Sequence, residues 1–398
     1  MEIPRNGDDD AKGTLIHLQK GHKYLSLRFN ACLPTEHQVT SSPERTGKKV
    51  KKVQENCDLP WEVLYIISER LDFDDLFHFS GVCKSWRVSY TIYWRNFLAS
   101  QAPLLIEICF SKPIVPSYYF RSLPDQKCYC WKMMNLKDRF EYYTSSSGYF
   151  IMGRKNAILL INPFTRIKKV INTTTFDEIY DCRHALLAFG KCSEEFVLVV
   201  LCGWPRSVHV YQSRNCAWIT YRTMEDVGVL LDFIVFHNII YVATSKSNIG
   251  VLSLNSSDIK FLKLESTPSV SPKPGHYPHI ALVNCDEQLL VVHLKYKEIK
   301  DVYKIDFSTM SYVKLKTLGD NALFYSPDKS CYALSNPNKW GYESNSVYVC
   351  YTSSVEVGAY SEDNKKCTTL LTSLERRSYM HDWCFRHVQY EIDYSLVE

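Results

Sequence analysis

Apolar side chains recur at helical spacing between residues 61 and 71. With 3.6 residues per turn, one stripe on this segment predicts the core face of a helix. Pro60 suits the first helical position, because its missing N–H costs little there. Glu62 follows in the first turn, where a negative charge favours the helix dipole. The predicted core stripe consists of Val63, Leu64, Ile67 and Leu71.

A second apolar face lies outside that stripe. Trp61, Tyr65 and Ile66 fall on it, among the acidic residues of the helix. Further helical segments are predicted near residues 72–80 and 82–98. Three short helices bury little surface by themselves, so the remaining apolar area indicates a partner protein. The alternative is a three-helix corner buried within its own domain.

The helical period ends near residue 102, and short β-rich segments follow. Residues 185–222, 230–264 and 279–318 each contain four apolar segments separated by polar turns. Their recurrence at roughly 40 to 55 residues predicts the blades of a β-propeller. Residues 148–171 predict an earlier blade, and residues 321–374 a later one with a long insertion. Residues 104–146 and the tail from Met380 are expected to form the closing blade. A large sandwich is the alternative.

Composition narrows the class of protein. Hydrophobic residues make up 45% of the 398 residues, and the net charge is only +4. This charge gives no sign of nucleic-acid or membrane binding, and the apolar segments are too short to span a bilayer. The 15 cysteines lack framework spacing, and the start of the chain does not look like a secretory signal. A cytoplasmic or nuclear location is therefore expected.

Residues 1–56 predict a disordered polar leader. It ends on a basic run, Lys48, Lys49, Lys51 and Lys52, which is either a nuclear signal or a solvated linker.

The searched catalytic motifs, namely the nucleophile elbow, the phosphate-binding loop and the metalloprotease helix, are not found in the sequence. Cys128 and Cys130 form a close pair, but a zinc site would need a second pair, so core thiols are predicted. Two histidine groups could bind a metal, but a loop cluster and a closing strand are the favoured interpretations. They consist of His276 and His279, and of His381, Asp382, Cys384 and His387. We therefore predict no catalytic residue, metal or cofactor.

The segment from residue 59 to 87 resembles an F-box. The resemblance is carried by Leu59-Pro60, the Ile/Leu helix, the Asp75-Leu76 pair and Val82-Cys83-Lys84 followed by Trp86-Arg87. Asp72 and Phe73 stand where many relatives have a proline. The resemblance implies docking on the Skp adaptor of cullin-based ubiquitin ligases. The residues expected to contact the adaptor are Leu59, Pro60, Ile66, Ile67, Leu71, Val82 and Trp86.

The second half resembles a plant domain of unknown function that follows an F-box in a large family of predicted propellers, kelch-like in architecture. "LINPFT" (160–165), "LGDNALFYSPDKSCYALS" (318–335) and "NSVYVCY" (345–351) carry this resemblance. The predicted fold is mainly β, with a three-helix F-box (57–101) before a five- or six-bladed β-propeller (102–398).

These features predict a substrate-recognition subunit of a Skp–cullin–F-box ubiquitin ligase, itself not an enzyme. The F-box would bind the adaptor and, through it, the cullin, while the propeller recruits a target protein. Alternatives are a propeller hydrolase or sugar-acting enzyme, a nucleic-acid binder and a non-proteolytic scaffold. Aromatic and arginine side chains on long loops are the expected target contacts, because such residues dominate interfaces. They are Trp204, Arg206, Tyr277, Tyr296, Trp340 and Tyr342.

Overall fold

A computed structural model of the chain places its residues in two compact units. The first comprises residues 1–16 and 26–101, and the second comprises residues 17–25 and 102–398. The residues it describes are 15–20, 23–28, 59–71, 79, 82–83, 85–86, 102–110, 116–132, 140–163, 167–173, 182–191, 195–202, 207–223, 226–256, 258–268, 279–295, 298–327, 329–351, 354–360, 367–372, 378–385 and 389–394.

The polar leader contains two strands. Strands β1 (Leu15–Lys20) and β2 (Lys23–Arg28) pair in a two-stranded sheet. The prediction of disorder is therefore wrong over these strands, whose pairing the polar composition did not indicate. The basic run at residues 48–52 lies outside the described residues.

The predicted first helix is present as α1 (Trp61–Arg70). Pro60 is its N-cap rather than its first helical residue, and the Pro60 carbonyl accepts hydrogen bonds from the N–H groups of Val63 and Leu64. Leu71 is extended and ends the helix. Phe79 and residues 85–86 are also helical. Val82 and Cys83, predicted at the start of the third helix, are not helical, and the rest of the predicted second and third helices lies outside the described residues. No described helix is long and apolar enough to cross a membrane.

The second unit is a six-bladed β-propeller, one of the two blade numbers expected. Its first strands are β3 (Leu104–Phe110), β4 (Pro116–Arg121) and β5 (Cys128–Lys132). Blade 1 contains β6 (Glu141–Ser146), β7 (Tyr149–Arg154), β8 (Ala157–Ile161) and β9 (Lys168–Asn172). Blade 2 contains β10 (Cys182–Gly190), β11 (Phe196–Cys202), β12 (Ser207–Gln212) and β13 (Ala217–Tyr221).

The next two blades are four-stranded meanders as predicted. Blade 3 contains β14 (Leu230–Phe236), β15 (Ile239–Thr244), β16 (Ile249–Leu252) and β17 (Ile259–Phe261). Blade 4 contains β18 (His279–Cys285), β19 (Gln288–Lys295), β20 (Glu298–Asp306) and β21 (Ser311–Lys314).

Blade 5 departs from the meander. It contains β22 (Asn321–Tyr325), β23 (Cys331–Ser335), β24 (Ser346–Cys350), β25 (Ser354–Ala359) and β26 (Cys367–Thr372). The spatial order is β23-β22-β24-β25-β26, and β22 pairs with β24 in parallel. The predicted long insertion is therefore a return connection, made by a 3-10 turn (Pro337–Trp340) that ends on Gly341. Gly341 has φ +78°, and a Cβ there would lie 2.8 Å from the Pro124 Cβ.

Blade 6 closes the ring with strands from both ends of the propeller. Strand β27 (Ser378–Cys384) pairs antiparallel with β3, which continues to β4 and β5. The closing blade was expected to combine residues 104–146 with the tail from Met380, and this combination is confirmed for β3, β4, β5 and β27. Strand β6, which also lies within residues 104–146, belongs to blade 1 instead. Successive blades are in contact through the strand pairs β6 and β10, β10 and β14, β14 and β18, and β18 and β23. The ring is closed by contacts of β24 with β27 and of β27 with β6. The closed ring leaves each inner strand covered by neighbouring blades.

The C-terminal strand lies at the axis of the ring. Strand β28 (Tyr390–Ile392) pairs in parallel with β10, on the edge opposite β11. Tyr390 and Ile392 are buried, and both belong to the core cluster of blades 2 to 4. The Ile392 carbonyl accepts a hydrogen bond from the Lys191 N–H. Polar residues around this tail did not indicate a core strand.

Ile392→Ala is expected to lower the free energy of unfolding by about 2–5 kcal/mol, because a fully buried aliphatic side chain is removed from packed surroundings. Chemical denaturation followed by circular dichroism measures the change. Glu391→Ala, at the exposed neighbouring position, should alter stability by only about 0.5 kcal/mol. Equal stabilities for the two variants would show that β28 is not part of the core.

Candidate interaction surfaces

Helix α1 exposes large apolar side chains on most of its circumference. Leu64 and Ser68 are buried, one helical turn apart, and form the inward face. Ile66 is 54% exposed, and Leu59, just before the helix, is 40% exposed. Exposed apolar patches of this kind mark interaction sites.

Three further exposed apolar residues extend the patch. Trp61 and Tyr65 are 45% and 37% exposed and confirm the predicted second apolar face of the helix. Val63 was predicted in the core but is 39% exposed, so that part of the stripe is wrong. The reason is that the buried stripe is narrow and runs through Leu64 and Ser68. None of these three was among the predicted adaptor contacts.

The other predicted adaptor contacts vary in exposure. Pro60 is exposed, Val82 is 53% exposed, and Ile67 and Leu71 are half-buried. Trp86 is also half-buried, and its ring lies 4.5 Å from that of Phe79, between ring centroids. Trp86 therefore contributes at least part of its area to packing within the first unit.

Of the six predicted target contacts on the propeller, only Trp340 and Tyr342 lie among the described residues. Trp204, Arg206, Tyr277 and Tyr296 lie outside the described residues. Trp340 is half-buried in the 3-10 turn of blade 5, with the Lys339 ammonium 5.1 Å from its ring centroid. Tyr296 was expected on a long loop, but the connection there is short, since β19 ends at Lys295 and β20 begins at Glu298.

Tyr342 is a core residue, which contradicts its prediction as a target contact. It is 3% exposed and packs edge-on against Phe324 and Tyr348. Its hydroxyl donates a hydrogen bond to the Pro103 carbonyl over 3.0 Å. Sequence spacing placed it in a loop, but the return connection of blade 5 folds it inward.

The histidine-rich tail is a closing strand, as preferred over a metal site. Asp382 accepts hydrogen bonds from the Tyr142 hydroxyl at 2.7 Å and from the Trp383 N–H at 2.8 Å. Burial and the neighbouring Asp382 raise the pKa of Tyr142 well above its ordinary value. His381 contacts the Tyr351 carbonyl through Nδ1. These contacts bind blade 6 to blades 1 and 5.

His276 and His387 lie outside the described residues, as do the side chains of His279 and Cys130. Cys128 is a free, half-buried thiol. Within the described part of the chain, no group of three or more histidine, cysteine or acidic residues could hold a metal ion.

A second buried aspartate repeats the Asp382 arrangement in blade 3. Asp232 accepts hydrogen bonds from the N–H groups of Phe233 and Leu282, and its carboxylate lies 3.1 Å from His184 Nε2. Ser330 lines the same small cavity near the axis, but its hydroxyl has no hydrogen bond to His184. Burial raises the pKa of the adjacent Cys331 thiol, which keeps it protonated. An activated nucleophile needs the opposite arrangement, so this cluster is best explained as inter-blade packing.

Comparison with known families accounts for both units. Residues 56–88 match the F-box domain, and residues 120–369 match the KIB1-4 beta-propeller. The chain belongs to the KIB1-4 beta-propeller family. Both resemblances inferred from the sequence are thereby confirmed, and the F-box match covers the helix that carries the exposed apolar patch.

Two comparisons place this KIB1-4 beta-propeller protein beside known proteins. An Arabidopsis thaliana protein named "Putative F-box protein At5g55150" is 21% identical over 323 residues, which cover 74% of this chain and 84% of the relative. A solved structure titled "Structure of U3-55K" is 9% identical, with a TM-score of 0.35 over 70% of this chain and 76% of that one. Likeness at that level does not establish a common function.

Proposed function

We propose that this protein is the substrate-recognition subunit of a Skp–cullin–F-box ubiquitin ligase. The observation that carries the proposal is the F-box match over helix α1, where Trp61 and Ile66 are exposed together with Leu59 just before the helix. An F-box implies binding of a Skp-type adaptor. The propeller supplies a rigid second surface for a target protein.

The protein would act by proximity rather than by chemistry of its own. Joining an adaptor site and a target site in one chain raises the effective concentration of the target near the ubiquitin carrier. The buried carboxylates of Asp232 and Asp382 both accept hydrogen bonds from backbone N–H groups. Because these carboxylates already have structural partners, they favour a recruiting role over that of a propeller enzyme. The expected location is the cytoplasm, the nucleus or both.

The test compares the full chain with its Leu59→Ala/Ile66→Ala variant in cells. Proteins captured by each are identified by quantitative mass spectrometry, and their half-lives are measured after translation is blocked. Adaptor and cullin should fall at least tenfold with the variant, while captured target proteins remain and live longer. If adaptor is lost but every half-life is unchanged, the protein is a non-proteolytic scaffold.

A further inference from the structure

A groove with a volume of about 120 Å³ lies between blades 4 and 5. The first residues of β20 form one wall, and strands β24 and β25 form the other. None of the predicted target contacts lines it.

The groove exists because β21 is short. This four-residue strand covers only the end of β20, and its last pair joins Tyr303 to Lys314. At that point the Tyr360 hydroxyl of blade 5 accepts a hydrogen bond from the Val302 N–H at 2.9 Å and donates one to the Leu315 carbonyl at 3.3 Å. The Leu315 N–H still donates to the Val302 carbonyl at 2.9 Å, so the hydroxyl takes the place of only the reciprocal bond at this position. No further pair between β20 and β21 forms beyond it.

Residues 298–301 consequently form an open strand edge. On their inner side they pair with β19, through Glu298 to Lys295 and Asp301 to His293. On the outer side, none of the described strands pairs with them. An open edge beside a cleft is a template for an added strand.

The walls of this groove combine apolar area with acidic side chains. Ile299, Val347 and Val349 are half-buried and rest on the core cluster between blades 4 and 5. The Asp301 carboxylate lies 3.6 Å from the Lys300 ammonium and 3.1 Å from the Lys314 ammonium. Glu298, Lys300 and Glu356 are the charged residues that line the groove, so its lining carries a net negative charge. The charge complementary to this rim is positive.

We infer that the groove binds an extended segment of the target protein, which adds as a strand to the outer edge of residues 298–301. The segment places an apolar side chain on Val347 and Val349. A neighbouring lysine or arginine faces Glu298 and Glu356. This inference rests on the proposed function, since it assigns the target-binding surface of the propeller.

The probe is a phage-displayed library of random octapeptides, selected on the intact wild-type chain. Selected peptides are synthesised with a fluorescent label, and their affinities are measured by anisotropy. Sequences with an apolar residue beside lysine or arginine should be enriched. Glu298→Lys/Glu356→Lys should weaken their binding at least tenfold, because both attractions become repulsions. Glu141→Lys/Glu265→Lys, which reverses two exposed acidic residues outside the groove, should leave binding within twofold.

Hydrogen exchange tests the strand addition separately. The backbone amides within residues 298–301 should exchange more slowly when a selected peptide is bound, and N-methylation of the peptide backbone should abolish the effect. Thermal unfolding checks that both double variants remain folded.

The inference is overturned if the library yields no enrichment, if acidic peptides are selected, or if both double variants bind equally. It is also overturned if light scattering shows a dimer that dissociates in the groove variant, because a second copy would then be the occupant. Adaptor binding distinguishes the two proposals. If the adaptor binds but no peptide depends on the groove, the groove inference fails and the ligase role stands. If peptides bind in the groove but the adaptor does not bind, only the ligase role is refuted.

Discussion

Replacement of both Leu59 and Ile66 by alanine is expected to weaken adaptor binding at least tenfold. Both side chains are large, apolar and exposed, and their positions lie within the F-box match. Truncation of an interface anchor commonly costs about 2 kcal/mol or more, and each 1.4 kcal/mol is a factor of about ten in affinity. Titration of the purified full chain with a Skp-type adaptor measures the effect.

A matched control is available on the propeller. Val170 and Val313 are 66% and 42% exposed, so the Val170→Ala/Val313→Ala variant removes comparable apolar area elsewhere. It should bind the adaptor with unchanged affinity. Neither double variant should alter thermal unfolding, because exposed side chains contribute little to folding. If the first variant binds like wild type, the exposed face of α1 is not the adaptor site.

Trp383→Ala is expected to lower the free energy of unfolding of the propeller by about 3–5 kcal/mol. Trp383 is fully buried in closing strand β27, and its ring meets that of Phe324 edge-on at 4.9 Å between centroids. Its carbonyl also accepts a hydrogen bond from the Ser145 hydroxyl at 2.8 Å. The removed side chain therefore joins blades 5 and 6 beside the contact with blade 1.

Denaturant-induced unfolding, followed by far-UV circular dichroism, measures this loss without relying on tryptophan emission. Leu370→Ala serves as the control, because Leu370 on β26 is 43% exposed and should change stability by only about 0.5 kcal/mol. A midpoint for Trp383→Ala that matches the control would mean that the closing strand does not hold the ring together.

Local sequence determined the strands of blades 2 to 4 with little ambiguity. Segments such as "FVLVVLC" and "LLDFIVF" are apolar throughout because neighbouring blades cover both faces of these inner strands. Polar turns between them mark the hairpins, and the recurrence of the four-strand unit indicates a ring. The order of short motifs after Leu59 likewise identified the F-box, since those residues lie close together in the chain.

Only the tertiary structure decided the pairings between distant segments. Strand β22 pairs in parallel with β24, and β28 pairs with β10 across about half of the chain. No local period encodes such pairings, because they depend on which edges the closed ring leaves free. The same long-range packing buries Tyr342 beneath the return connection of blade 5, and it places the Tyr360 hydroxyl at the end of β21, where it opens the groove.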